Sequence, residues 1–150
     1  SPLLDAVQLY EMELLLVSLS THTVAPKTGP VAFRSLAKLP LILPGKYHWI
    51  RKLVESEAQK AGIKLDVVLE VEGAGLILEL IQRRKGYTVR PALSMDRSSV
   101  SRRIQFNAIV SPKLKRSVKL IMSKQHPTSY LMRETFAMIR DSLAQDAGKA

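Results

Sequence analysis

Apolar positions fall along the chain in short blocks, and the spacing within each block predicts an element. Glu13 to Leu19 is an apolar run with Val17 inside it, consistent with a buried strand, and the Ser-, Thr-, Pro- and Gly-rich stretch from Ser20 to Pro30 breaks it as a loop. Phe33 to Leu39 reads as a helical turn stopped by Pro40, and Leu41-Ile42-Leu43 as a small strand closed by Pro44-Gly45. From Tyr47 to Ala61 the period changes: Ile50, Leu53, Val54, Ala58 and Ala61 recur at three- and four-residue steps, the stripe of an amphipathic helix that Gly62 stops. Lys64 to Val71 then reads as a β-branched strand, Ala74 to Arg84 as a second helix with Leu76, Ile77, Leu80 and Ile81 inward, and Gly86-Tyr87-Thr88-Val89 as the next strand.

Strand, helix, strand, helix and strand within about fifty residues is the spacing of consecutive parallel β-α-β units, so the expected class is α/β with a mainly parallel central sheet flanked by helices. Beyond it, Pro91 to Met95 is expected to make a short turn of helix, Ile104 to Val110 alternates as a strand, and Val118 to Ser123 makes another. A terminal helix starts at Pro127 with Thr128 or Ser129 and carries Leu131, Phe136, Ile139 and Leu143 on its apolar face before fraying over 146–150. No internal repeat interrupts this order.

Composition narrows the class. The chain has 150 residues, 46% of them apolar and 24% charged, as in a globular protein rather than a disordered tail. Its richest apolar run, Leu14 to Leu19, is far too short to span a bilayer, and no basic segment with a cleavage site opens the chain, so no membrane association and no secretory export are expected. With no cysteine, thiolate nucleophiles, disulfides and zinc-cysteine sites are excluded. His22, His48 and His126 fall in no metal-binding spacing, and no nucleophile elbow, Walker loop or dinucleotide turn is present. The expectation is a protein without catalytic residues, metal or cofactor.

Charge divides the chain unevenly. Residues 1–75 hold eight basic and eight acidic side chains, whereas residues 76–150 hold fifteen and five, so the whole net charge of +10 resides in the second half. Between Arg83 and Lys124 the only acid is Asp96. That bias attracts an anion, or it is a solvated face that keeps the protein in solution; charge alone does not separate the two. Few aromatic residues interleave with the cations, which disfavours a base-stacking platform.

Leu39-Pro40-Leu41-Ile42-Leu43-Pro44, then His48-Trp49-Ile50-Arg51-Lys52-Leu53, then Leu69-Glu70-Val71, then Gly86-Tyr87-Thr88-Val89 with Pro91 after it, in that order and spacing, resemble the effector-binding domain of LysR-type transcriptional regulators. The segment containing Leu39 to Pro44 is most similar to nitrogen-assimilation-control and aromatic-catabolism types. The resemblance implies a periplasmic-binding-protein-like lobe with crossing hinge strands and remnants of a second lobe: residues 1–17 as remnant of the first lobe and hinge strand, 18–120 as the second, effector-binding lobe, and 121–150 as return hinge strand and C-terminal helix. It also implies that the DNA-binding helix-turn-helix and most of the first lobe are absent from this chain. Two positions depart from the pattern: Arg84-Lys85-Gly86 stands where the family usually has Gly-x-Gly, and Arg90 where an apolar residue commonly precedes the proline.

In an open parallel sheet, ligands bind outside the carboxyl ends of the strands, where helix N-termini attract anions. Two loops qualify: Pro44-Gly45-Lys46-Tyr47 and Val71-Glu72-Gly73, and the resemblance adds the strand end near Thr88. Each has a plainer reading as well. Lys46 serves equally as a solvated lysine, Gly45 as a turn residue, Tyr47 and Trp49 as packing residues, Glu72 as a helix cap and His48 as a structural hydrogen-bonder. By resemblance the function is that of a cytoplasmic sensor: a small, anionic effector binds between lobes, shifts their arrangement and changes how a homo-oligomeric regulator holds DNA. The alternatives are a basic nucleic-acid-binding module using residues 83–124 and a fragment of a small-molecule solute-binding protein. The apolar stripes of the Tyr47 and terminal helices predict self-association.

Overall fold

A computed structural model describes residues 4–92, 101–123 and 130–149. The elements are β1 (Leu4–Leu19), β2 (Val31–Ala32), a 3-10 turn (Phe33–Lys38), β3 (Pro40–Leu43), α1 (Trp49–Ala61), β4 (Asp66–Glu70), α2 (Ala74–Gln82), β5 (Thr88–Pro91), β6 (Ile104–Val110), β7 (Lys115–Ser123) and α3 (Tyr130–Lys149). They form two compact units, one of residues 13–114 and a smaller one of residues 1–12 with 115–150. In the smaller unit β7 pairs with β1, and Lys115 lies 3.5 Å from Glu11.

The larger unit is the expected α/β lobe. β3 and β4 pair in parallel, Leu43 opposite Glu70, and β3 also meets the start of β5: Tyr87 donates to the Pro40 carbonyl at 2.9 Å and Ile42 to the Tyr87 carbonyl at 2.7 Å. β1 runs antiparallel to both β5 and β6, with Leu16 opposite Val89 and Asn107, and β2 adds to β6 in parallel.

Strand alternation distributes the apolar side chains over two faces. Leu41 and Leu43 of β3, Leu14 and Leu16 of β1, and Tyr87 and Val89 point into one core with Ile50, Val54 and Ala58 of α1 and Phe33 and Leu36 of the 3-10 turn. Ile42, Val17 and Leu19 point the other way, against Ile77 and Ile81 of α2. Both faces of β3 are therefore covered, which is why its sequence is apolar at every position from Leu41 to Leu43. β4, by contrast, is an edge strand with Val68 and Leu69 exposed.

Several boundaries differ from the sequence reading for local reasons. α1 begins at Trp49, two residues after Tyr47, because His48 is its cap: the ring Nδ1 accepts from the Ile50 amide at 3.1 Å. Gly62 ends it in the left-handed conformation at φ 66, as expected. β1 extends upstream to Leu4, well beyond the apolar run, where pairing with β7 rather than burial sustains it. Of the turn expected over Pro91 to Met95, residues 93–95 lie outside the described residues, as do the expected start of the terminal helix at 127–129 and its Leu131 and Leu143 side chains. On the described part of α3, Phe136 is half-buried and Ile139 is exposed.

The departure at Arg84 has a structural consequence. α2 ends in a tight turn in which Arg84 takes φ 62, a conformation that costs an L residue about 1 kcal/mol and glycine nothing. Arg84→Gly is expected to raise stability by about 1 kcal/mol in urea unfolding without changing the slope of the transition.

Candidate functional site

β3, β4 and β5 run the same way, so their carboxyl ends share one edge of the larger unit; Pro91 at the end of β5 sits opposite Leu14 of β1. The two loops singled out from the sequence meet there. The Val71 amide donates to the Leu43 carbonyl at 3.0 Å, extending the ladder one step past the strands. Beyond it, the Gly45 amide donates to Glu72 Oε1 at 3.0 Å, joining one loop to the other. Glu72 thus acts between loops rather than as the cap of α2, whose N-cap, Gly73 at φ 103, brings no side-chain hydrogen bond to the first turn. A Cβ on Gly45 would lie 2.9 Å from that carboxylate oxygen, so the contact requires glycine or a displaced Glu72.

A residue that motif reading passed over braces the edge. Arg51, in the first turn of α1, donates from Nη1 to the Pro44 carbonyl at 3.1 Å and to Glu70 Oε1 at 3.0 Å, and from Nε to Glu55 Oε1 at 2.9 Å. It therefore ties the end of β3, the end of β4 and its own helix together. Partial burial works against its charge, and the hydrogen bonds to Glu55 and Glu70 outweigh that, holding the guanidinium pKa above its ordinary value. The Glu55 pairing is an i, i+4 spacing visible in sequence; the contacts to Pro44 and Glu70 needed the sheet register.

The remaining expected residues divide. Pro44 is buried and Gly45 half-buried, whereas Lys46 and Tyr47 are exposed, Tyr47 at 80%, with Lys46 Nζ 5.1 Å from the ring centroid. Tyr47 is thus not a core residue, unlike Trp49, which packs against the larger cluster. Val71 packs against the α2 side and Gly73 is exposed. Thr88 lies at the beginning of β5, not at its end; it is fully buried and its hydroxyl has no hydrogen-bond partner. Arg90, the next-to-last residue of β5, lies opposite Leu15, and burial pushes its guanidinium pKa below the ordinary value.

The edge therefore presents the loops that lead into α1, capped by His48, and into α2, without a side-chain cap, with Lys46 in the first loop, Glu72 in the second and Arg51 paired to Glu55 and Glu70. Such an arrangement suits an anionic group near the start of α2. Among the described residues no cluster of His, Asp or Glu has the makings of a metal site, and no helix is long and apolar enough to cross a membrane. The basic segment from Arg83 onward does not lie on one element: Arg83 to Lys85 follow α2, Arg102 and Arg103 precede β6, and Lys115, Arg116 and Lys119 lie on β7 in the other unit.

Comparison with known proteins adds the family. The model of the LysR substrate binding domain matches residues 1–144. No curated protein sequence matches the chain. Among solved structures, the Corynebacterium glutamicum OxyR C206 mutant superposes with a TM-score of 0.75 at 17% identity, over 99% of this chain and 45% of that one. The Synechocystis PCC6803 CcmR regulatory domain in complex with 2-PG gives 0.76 at 16% identity, over 95% of this chain and 66% of that one. The C-terminal domain of a probable LysR family regulator from Rhodococcus sp. RHA1 gives 0.73 at 20%, over 93% and 68%. The chain thus spans less than half the length of the OxyR chain it matches.

Proposed function

Because the chain belongs to the LysR substrate binding domain family, we propose that its larger unit is the effector-binding lobe of a DNA-binding transcriptional regulator. The effector is a small organic anion held at the edge where β3, β4 and β5 end. The observation that carries this reading is the junction of the two loops: the Gly45 amide on Glu72 joins the loop that leads into α1 to the loop that leads into the uncapped start of α2. The effector's anionic group sits against the α2 N-terminus, with Lys46 supplying charge and Tyr47 an exposed ring beside it. The ligand-bound regulatory domain of Synechocystis CcmR, similar in fold, supports a role in small-molecule sensing.

In this reading residues 18–120 act as the second lobe, 1–17 and 121–150 as hinge strands and part of the first, and no catalysis is performed. The effector acts by differential affinity for two lobe arrangements, and a helix-turn-helix outside this chain contacts DNA. Cytoplasmic location and homo-oligomerisation follow from the same proposal; exposed Met138 and Ile139 on α3 favour a second copy.

Isothermal titration of the full chain with a panel of small mono- and dicarboxylates tests the site. One member should bind, and Lys46→Ala should weaken it by about fivefold, the worth of one exposed charge contact. Binding unaffected by both Lys46→Ala and Glu72→Gln would remove the edge from consideration.

A further inference from the structure

A second site is built at the other end of the same unit. A cavity of about 840 Å³ opens beside the beginnings of β3 and β5, lined by Leu16, Val24, Val31, Lys38, Leu39 and Tyr87 among others. The four residues of β3 separate it from the effector edge, roughly 13 Å at the rise of a strand. Its volume is within the range of pockets that hold small molecules.

The outer wall of this cavity is the loop of residues 20–30, and that loop is held in place by polar groups from the sheet. Gln105 and Asn107 project from the same face of β6, both buried. Gln105 Nε2 donates to the Pro26 carbonyl at 2.8 Å and to Asn107 Oδ1 at 2.9 Å. Asn107 Nδ2 donates to the Pro26 and Gly29 carbonyls, each at 2.9 Å. Across the cavity the Val24 amide donates to the Tyr87 hydroxyl at 3.0 Å. The cavity is thus preformed, and opening it requires no rearrangement of the loop.

Its chemistry is one-sided. The floor is apolar, from the small exposed parts of Val31, Leu39 and Tyr87 over a fully buried Leu16, while the lining carries Lys38 and His22 and no acid. The surrounding chain adds cations at the same end: Arg83, Arg84 and Lys85 lie between α2 and β5, and Arg103 precedes β6 with its carbonyl bonded to the Ser20 amide at 2.7 Å. Of these, Arg83 is already paired with Glu79 at 2.8 Å, and Asp66 stands at the start of β4. An apolar floor under a basic rim selects a molecule with a flat hydrophobic body and a single negative head.

We propose that this cavity is a small-molecule site distinct from the effector edge, taking an aromatic or alicyclic monoanion whose ring lies against Val24, Leu39 and Tyr87 and whose charged group meets Lys38. The proposal does not depend on the effector reading, since it uses none of the residues of the edge.

A ¹H–¹⁵N NMR titration of the full chain with 2-naphthoate and, separately, with neutral 2-naphthamide tests it. The expected result is saturable shifts of the Val24, Ala25, Ala32 and Lys38 amides, with the anion binding about fivefold tighter than the amide. Lys38→Met, an exposed substitution, should abolish that preference and leave amide binding unchanged, while Ala32→Trp should block both. Lys46→Ala should change neither. Absence of saturable shifts at these amides up to about 10 mM ligand overturns the proposal, as does equal affinity for the two probes or shifts confined to residues 44–47 and 71–73.

Discussion

Gly86→Ala is expected to destabilise the larger unit by about 3 kcal/mol, one of the two largest single-site effects argued from this structure. A Cβ at position 86 would lie 2.6 Å from the Pro40 carbonyl oxygen and 3.2 Å from Ile42 Cγ1. The first neighbour is backbone, in a strand whose far side is packed by Leu41 and Leu43, so it has nowhere to withdraw. Relief requires moving β3 away from the start of β5, at the cost of the bonds from Tyr87 to Pro40 and from Ile42 to Tyr87, each worth about 1 kcal/mol. Urea unfolding followed by tryptophan fluorescence of Trp49 reads this out as a lowered midpoint, and thermal unfolding as a fall of about 10 °C. A loss under about 1 kcal/mol would show that the two strand beginnings do not approach so closely.

Asn107→Ala is expected to cost about 2 to 3 kcal/mol, more than its modest size suggests. The substitution removes two donors and one acceptor at once: the Gly29 carbonyl loses its side-chain donor, Pro26 keeps only Gln105, and Gln105 loses Oδ1 as acceptor. The buried Gln105 amide loses one of its partners outright, while the Pro26 and Gly29 carbonyls, on exposed residues, are partly rehydrated. The loop of residues 20–30 should then detach locally before the unit unfolds, so trypsin should cut after exposed Lys27 much faster than in the parent chain, at denaturant concentrations where far-UV circular dichroism is unchanged. Asn107→Leu, which restores volume without polarity, should behave like Asn107→Ala in the protease assay. Unaltered cleavage in both variants would mean that the loop is held by something other than these amides.

Both substitutions fall where periodicity is silent. The strand and helix order between Leu41 and Val89 was legible because α1 and β3 bury regular stripes, and the helix stop at Gly62 carries local chemistry that a sequence displays directly, whereas the cap made by the His48 ring does not show in periodicity. The two loops that follow β3 and β4 were legible as loops for the same reason, being the segments that follow apolar runs in a β-α-β order. Their mutual contact was not: Gly45 and Glu72 are 27 residues apart, and only the parallel register of β3 and β4 brings them together. Arg51 was hidden similarly, since its role lies in carbonyl and carboxylate partners on other strands. Thr88 entered through the family resemblance as lying near a strand end, whereas β5 starts at Thr88 and continues to Pro91, which puts Thr88 at the opposite end of the strand from the edge. The amide pair on β6 looked like ordinary alternation in Ile104 to Val110, and nothing in that pattern reveals that its polar positions face inward.

The two ends of the unit are secured by opposite means. At the edge where β3 and β4 end the grip is made by side chains of the edge itself, Glu72, Arg51 and His48, so an exchange of any of them redraws the frame along with the proposed binding surface. Around the loop of residues 20–30 the sheet grasps main-chain carbonyls, which every amino acid possesses. Positions such as Val24, Lys27 and Thr28 are consequently free to drift in identity while the path of the chain persists. New specificities are therefore more readily grafted onto this end of the lobe than onto the other.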